Sequence, residues 1–143
     1  MEGKCRLGPV ELTLAQLQEM GSFGFPGLLG IDFAEAEEGG VRAALELDEK
    51  HMAPNGYVHS GTVVGLADSA CGYGCILNLP DGATGFTTIE LKTNFLRSAR
   101  EGTIRCEARL VHGGRTTQIW DAAVTDPEDR TMALFRCTQL VLR

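Results

Sequence analysis

From His59 to Gly74 the chain is apolar, rich in small residues and helical in pattern, and it carries a single carboxylate, Asp68, in its middle. A carboxylate on the buried side of such a helix costs several kcal/mol unless something pairs with it. Either Ser69 or Thr62 satisfies it as an ordinary helix polar group, or it supplies a basic or nucleophilic oxygen. Asp68 is therefore the first catalytic candidate. Nine residues upstream, His59 stands at a loop–helix junction. A general-base role is open to it, but ring hydrogen bonds that hold the loop are the commoner use of a lone histidine there. Ser60 has no Gly-x-Ser-x-Gly elbow and no paired base. Its backbone N–H, at the start of a helix, is the more useful group, and its hydroxyl can cap that helix.

These residues need elements to position them. Thr13 to Gln16 matches a capping box, so a short amphipathic helix runs from about Thr13 to Met20, with Gly21 as its stop. A Gly/Pro-rich connection through Phe25, Pro26 and Gly27 leads to a strand over Ile31 to Glu38. Gly39 and Gly40 then turn the chain into a second strand, in which Val41, Ala43, Leu45 and Leu47 alternate with polar or small residues. Pro54, Asn55 and Gly56 break regular structure just before the helix, which is expected over about Ser60 to Leu77.

Four strand patterns follow, Thr87 to Leu96, Thr103 to His112, Thr116 to Thr125 and Thr131 to Leu142, joined by short separators. Ile89, Leu91, Thr93 and Phe95 oppose Glu90, Lys92 and Asn94, and Ile104, Cys106 and Ala108 oppose Arg105, Glu107 and Arg109. Such alternation predicts an antiparallel sheet with one covered face. Two strands, a long apolar helix and four more strands define an α+β domain in which an antiparallel sheet wraps one long central helix. Gly65, Gly72 and Gly74 each weaken a helix by about 1 kcal/mol relative to alanine, so close approach by the enclosing sheet is expected at them.

With 143 residues, one domain spanning 1–143 is expected. Against 19 acidic residues stand 13 basic ones, a net charge of -6, which argues against nucleic acid or an anionic membrane as partner. Cys5, Cys71, Cys75, Cys106 and Cys137 form no C-x-x-C pair and have no histidine at metal spacing. They read as reduced, packed thiols, and Cys71 and Cys75, one turn apart, as packing rather than metal ligands. No hydrophobic signal core follows Met1 to Arg6 and no apolar run approaches the ~18 residues of a membrane span, so a cytoplasmic location is expected.

The order of helix, hairpin, Gly56-Tyr57-Val58-His59-Ser60-Gly61, Asp68 on the helix and Thr88 to Arg100 resembles the hotdog-fold acyl-CoA thioesterases. It is most similar to the phenylacetate-pathway (PaaI-like) type, related to the 4-hydroxybenzoyl-CoA thioesterases. The resemblance runs from about Leu28 to Leu142. The family's Gly-x-x-His-Gly-Gly is matched at Gly56 to Gly61, with Ser60 in place of the first glycine of the pair, and its acidic residue nine positions after the histidine is Asp68. Many relatives carry Asn or Gln six residues before the histidine. That position is Ala53 here, with Asn55 and His51 as the nearest polar replacements.

The resemblance implies hydrolysis of an acyl-CoA thioester to a free acid and CoA, without metal or redox cofactor. It assigns carbonyl polarisation to the helix start at Ser60 and Gly61, with His59 positioning the loop, and base or nucleophile to Asp68. Thr88 falls where a partner subunit's Ser or Thr reaches the reaction centre. Arg97, Arg100, Arg115 and Asn55 are candidates for holding CoA. Tyr73, Phe86, Phe95 and Trp120 are core or acyl-pocket lining. A homodimer with a joined sheet, or a homotetramer built as a dimer of dimers, is the implied assembly. Two alternatives stay open: an enoyl-thioester hydratase or dehydratase of the same fold, and a non-catalytic acyl-CoA-binding regulatory domain.

Overall fold

The computed structural model describes residues 5–7 and 10–143. Met1 to Lys4, which begin the amino-terminal run, and the thiol of Cys5 lie outside it. Strands β1 (Cys5–Leu7) and β2 (Val10–Leu12) pair as a two-stranded antiparallel ribbon that the sequence pattern does not announce. Helix α1 (Leu14–Met20) begins as expected: Thr13 Oγ1 accepts the Gln16 N–H at 3.2 Å, and Gln16 Oε1 accepts the Thr13 N–H at 2.8 Å.

The Gly/Pro-rich connection is in fact a short helix, α2 (Gly24–Leu29), closed by Gly30 in the left-handed region at φ 77°. Pro26 lies in its first turn, where a missing N–H removes no intrahelical bond. A composition of two glycines and a proline hides such a helix from any propensity argument.

Strands β3 (Asp32–Glu37) and β4 (Gly40–Glu46) form the expected hairpin, with Val41, Ala43 and Leu45 buried. Helix α3 (Ser60–Leu77) has the expected bounds. After it come β5 (Gly85–Phe95), β6 (Thr103–Gly113), β7 (Thr117–Thr125) and β8 (Thr131–Leu142). The six strands form one antiparallel sheet in the order β3-β4-β6-β7-β8-β5. Its inner face packs on α3, with Ile104, Cys106 and Ala108 of β6, Trp120, Ala122 and Val124 of β7 and Phe135 and Cys137 of β8 buried in one cluster.

Two helix glycines are explained by the sheet: a Cβ on Gly74 would stand 2.5 Å from the Trp120 ring, and one on Gly72 would stand 3.2 Å from Phe86. Gly65 departs from expectation. There it is α2 that presses, with Leu29 and Phe25 at 2.7 and 2.9 Å from the missing Cβ.

Strand β5 departs more. Leu91 and Phe95 pair with Cys137 and Ala133 and so share the inner face, yet they are 44% and 47% exposed. Ile89, beside a register shift between Thr88 and Glu90, is 57% exposed. Lying at the sheet edge, β5 has an inner face that α3 leaves largely uncovered. Cys71, Cys75, Cys106 and Cys137 are buried and form no disulfide, and among the described residues no helix is long and apolar enough to cross a membrane.

Candidate active site

The loop ahead of α3 is folded around His51, which is buried. Its Nδ1 accepts the Asp48 N–H at 2.9 Å, so its Nε2 carries the proton and donates to the Leu29 carbonyl at 2.7 Å. The His51 carbonyl accepts the His59 N–H and the Thr62 hydroxyl, both at 2.9 Å. One residue thus ties α2 to the first turn of α3. With both ring nitrogens engaged, His51 does not replace the polar group absent at Ala53. Asn55 turns inward on its own loop, where Oδ1 accepts the Tyr57 N–H at 3.1 Å.

His59 is the N-cap of α3, and its Nδ1 accepts the Gly61 N–H at 2.8 Å. A Cβ on Gly61 would lie 2.9 Å from that nitrogen, so the glycine is what lets the ring cap the helix. The Thr62 N–H reaches the His59 carbonyl at 2.9 Å. Gly61 and Thr62 therefore have engaged donors, while the Ser60 N–H enters no hydrogen bond among the described residues. It points from the positive end of an eighteen-residue helix.

Two turns on, Asp68 is half-buried. Its Oδ1 is sheltered from solvent and has no hydrogen-bond partner among the described residues. The satisfied-polar-group reading fails for this oxygen, because Thr62 gives its hydroxyl to His51 instead. Burial pushes the Asp68 carboxyl above its ordinary value.

The other candidates are distributed as follows. Thr88 is half-buried on the uncovered edge strand, and its hydroxyl donates to Gln139 Oε1 at 2.7 Å. Arg100 is drawn to the loop: its guanidinium stacks 4.7 Å from the Tyr57 ring centroid and lies against Gly56. Arg97 is exposed just beyond β5. Arg115 is exposed in the β6–β7 turn, with Arg143 donating to its carbonyl at 3.0 Å.

Trp120 is wholly buried, its Nε1 held by Gln118 at 2.8 Å. Tyr73 packs edge-on against Phe33 with centroids 4.6 Å apart, and burial raises its hydroxyl pKa. Both belong to the core. Sequence reading passed over Gln139, although an uncharged polar residue at an inward position of β8, between Cys137 and Val141, is a signal that could have found it.

A depression of about 600 Å³ lies on the opposite face of the sheet among Lys92, Glu107, Arg109, Asp121 and Arg136, and none of its lining residues comes from α3. Its acids are already matched to neighbouring guanidinium groups, Arg136 with Asp121 and Arg109 with Glu107. The candidate groups on α3 therefore take no part in this depression.

An antiparallel six-stranded sheet packed around one long helix is the architecture of the hotdog-fold acyl-thioester hydrolases. Comparison with known proteins agrees. The profile of the thioesterase superfamily matches residues 55–133, and the chain belongs to that family. It is 31% identical over 115 residues to the 1,4-dihydroxy-2-naphthoyl-CoA hydrolase of Listeria monocytogenes, covering 80% of this chain and 93% of that one. The Escherichia coli hydrolase of the same name is 30% identical over 135 residues, covering 92% and 96%. A crystal structure of a Haemophilus influenzae thioesterase superposes with a TM-score of 0.88 at 26% identity, covering 96% of this chain and 95% of that one.

Proposed function

We propose that the protein hydrolyses an acyl-CoA with Asp68 as the catalytic carboxylate and the Ser60 N–H as the donor that polarises the thioester carbonyl. The observation that carries this reading is the sheltered Oδ1 of Asp68, unpartnered among the described residues. The Ser60 N–H of the same chain starts that helix eight residues earlier, about 12 Å away along its axis, so the donor that meets Asp68 at one carbonyl is the partner's Ser60. As negative charge develops on the carbonyl oxygen, the Ser60 donor and the helix dipole stabilise it without reorganising. Asp68 acts on the carbon from the ionised state, as base toward water or as nucleophile. His59 and His51 hold the donor turn in place, with Gly61 making room for the His59 cap.

The working unit in this reading is a cytoplasmic homodimer. Ile89, Leu91 and Phe95 lie on or beside the uncovered inner face of an edge strand, an arrangement that a second copy would cover while continuing the sheet. Thr88 would then face the partner's Asp68, and Arg100, already ordered on Tyr57, would meet a CoA phosphate together with Arg97 and Asn55, whereas Arg115 stands at the far end of the sheet beside Arg143. Pairing of two dimers gives the tetramer. An aromatic acyl group is the first substrate class to test, since two relatives are named for a naphthoyl-CoA and Phe23, Phe25 and Leu28 of the α2 region expose apolar surface.

The test is thiol release over a panel of aromatic and aliphatic acyl-CoAs, with Asp68→Ala as control. Release by the native protein and none by the variant is expected. Tight binding with no release anywhere in the panel would overturn the reading in favour of a binding domain. Light scattering checks the assembly, and a fully active monomer would overturn the shared site.

A further inference from the structure

Gln139 is the polar residue that the mechanism leaves unused. It is completely buried on the inner face of β8, directly opposite Thr88 in the register with β5. Both polar atoms of its carboxamide are engaged: Oε1 accepts the Thr88 hydroxyl at 2.7 Å, and Nε2 donates to Cys137 Sγ at 3.3 Å. The Cys137 thiol is in turn buried in the same core cluster as Cys71, one turn beyond Asp68 on α3. The amide is therefore braced from behind and does not turn freely. A buried amide is kept in a core only when its polar atoms are paired, because leaving them unpaired is costly.

The consequence concerns which way the Thr88 hydroxyl faces. A hydroxyl has one proton and two lone pairs. With its proton committed to Gln139, Thr88 offers only lone pairs to whatever lies beyond it. An ionised carboxylate is an acceptor only, so a Thr88 held in this way does not hydrogen-bond Asp68. Water suits both groups at once, giving one proton to Asp68 and the other to Thr88 Oγ1 while a lone pair stays free to attack.

We infer that Gln139 is a positioning residue that fixes Thr88 as a hydrogen-bond acceptor, and that the site is thereby built to hold an attacking water between Thr88 and Asp68. This rests on the assignment of Thr88 and Asp68 to the reaction centre made above. In the resulting step the water oxygen bonds to the acyl carbon and one of its protons passes to Asp68. The C–S bond then breaks, and the departing CoA thiolate takes that proton back, leaving the free acid. Direct attack by Asp68 gives Thr88 no comparable role.

A double-mutant cycle tests the inference on the folded, assembled enzyme. Thr88→Val lowers kcat roughly tenfold, the scale of one hydrogen bond in the transition state. Gln139→Met, which keeps the volume and removes the acceptor, produces a similar fall in kcat with KM unchanged, and it adds nothing in the Thr88→Val background. Gln139→Glu, which retains an acceptor oxygen, keeps kcat well above Gln139→Met and serves as the second variant if the methionine form does not fold.

An unaffected Thr88→Val enzyme removes the assignment of Thr88 and the inference with it. An impaired Thr88→Val beside an unaffected Gln139→Met, or additive losses in the double variant, overturns the inference alone. A single turnover in ¹⁸O-water is the second readout. The acid released in the first turnover should carry solvent oxygen, and label found in Asp68 with an unlabelled first product rules out the held water.

Discussion

The two halves of α3 share one core and treat their polar groups in opposite ways. At the C-terminal end the amides and the buried indole are paired. Asn78 accepts the Gly39 N–H at 3.2 Å and donates to the Gly74 carbonyl at 2.8 Å, while Gln118 joins the Asn78 carbonyl to the Trp120 indole. At the N-terminal end, Ser60 keeps an unengaged N–H and Asp68 a sheltered oxygen with no partner. Two sheltered side-chain oxygens lack a partner among the described residues, Asp68 Oδ1 and Thr93 Oγ1, and of the two a carboxylate is by far the costlier to leave so. The difference between the two ends of the helix marks where a ligand belongs, and it separates residues that hold the helix from residues that act on a substrate.

The largest effect expected from breaking this contrast is at Asp68. Asp68→Asn should lower kcat by about 10²–10⁴-fold in the thiol-release assay, the range for a positioned acid–base group. The same substitution should leave the melting temperature unchanged or raise it. Burial lifts the Asp68 pKa in the folded state, so its contribution to stability is present at pH values below the ordinary aspartate pKa and is lost as pH rises through the lifted one. At neutral pH the charge opposes folding, and asparagine removes it. For the native enzyme, kcat should fall on acidification through a pKa higher than that of a free aspartate.

Next in size is the donor. Ser60 is the first residue of α3, where proline is tolerated and lacks only the N–H. Ser60→Pro should cost about 10²–10³-fold in kcat, as loss of one oxyanion donor does. Ser60→Ala should leave kcat near native. Equal loss in both variants would shift the role to the hydroxyl.

In the satisfied half the readout is stability. Gly74→Ala drives a methyl to 2.5 Å from Trp120 and should cost about 1–3 kcal/mol in denaturant unfolding, with kcat of the folded fraction unchanged.

The smallest effect is at the β7–β8 turn, outside α3 altogether. Burial would raise the Asp126 carboxyl, but the Arg130 N–H, the Arg130 guanidinium and the Glu128 N–H outweigh it and hold the pKa below the ordinary value. The stability this contributes is present above the ordinary aspartate pKa and is lost as pH falls through the lowered one. Acid unfolding followed by circular dichroism should therefore lose part of its dependence below about pH 4 in Asp126→Asn.

Much of this was legible in the sequence, because periodicity and capping are local. The Thr13–Gln16 box, the bounds of α3 and the alternation in β4, β6, β7 and β8 follow from side-chain spacing alone. Asp68 stood out because a carboxylate inside an apolar helix is costly wherever that helix is buried. Helix α2 was not legible, since six residues with two glycines and a proline carry too little propensity to outvote a loop. Its close approach to Gly65 is a tertiary fact.

By itself, then, the sequence determined the kinds of element, the face each one buries and the single acidic group worth suspecting, all of which depend on neighbours a few positions apart. Only the tertiary structure decided which donors are engaged and which oxygens lack a partner. His51 meets Leu29 across 22 positions and Thr88 meets Gln139 across 51. Only the assembled sheet, too, left β5 at an edge with apolar side chains that its own helix does not cover. Hydrogen-bond saturation and burial are set by groups that the chain brings together only on folding, and no local pattern encodes them.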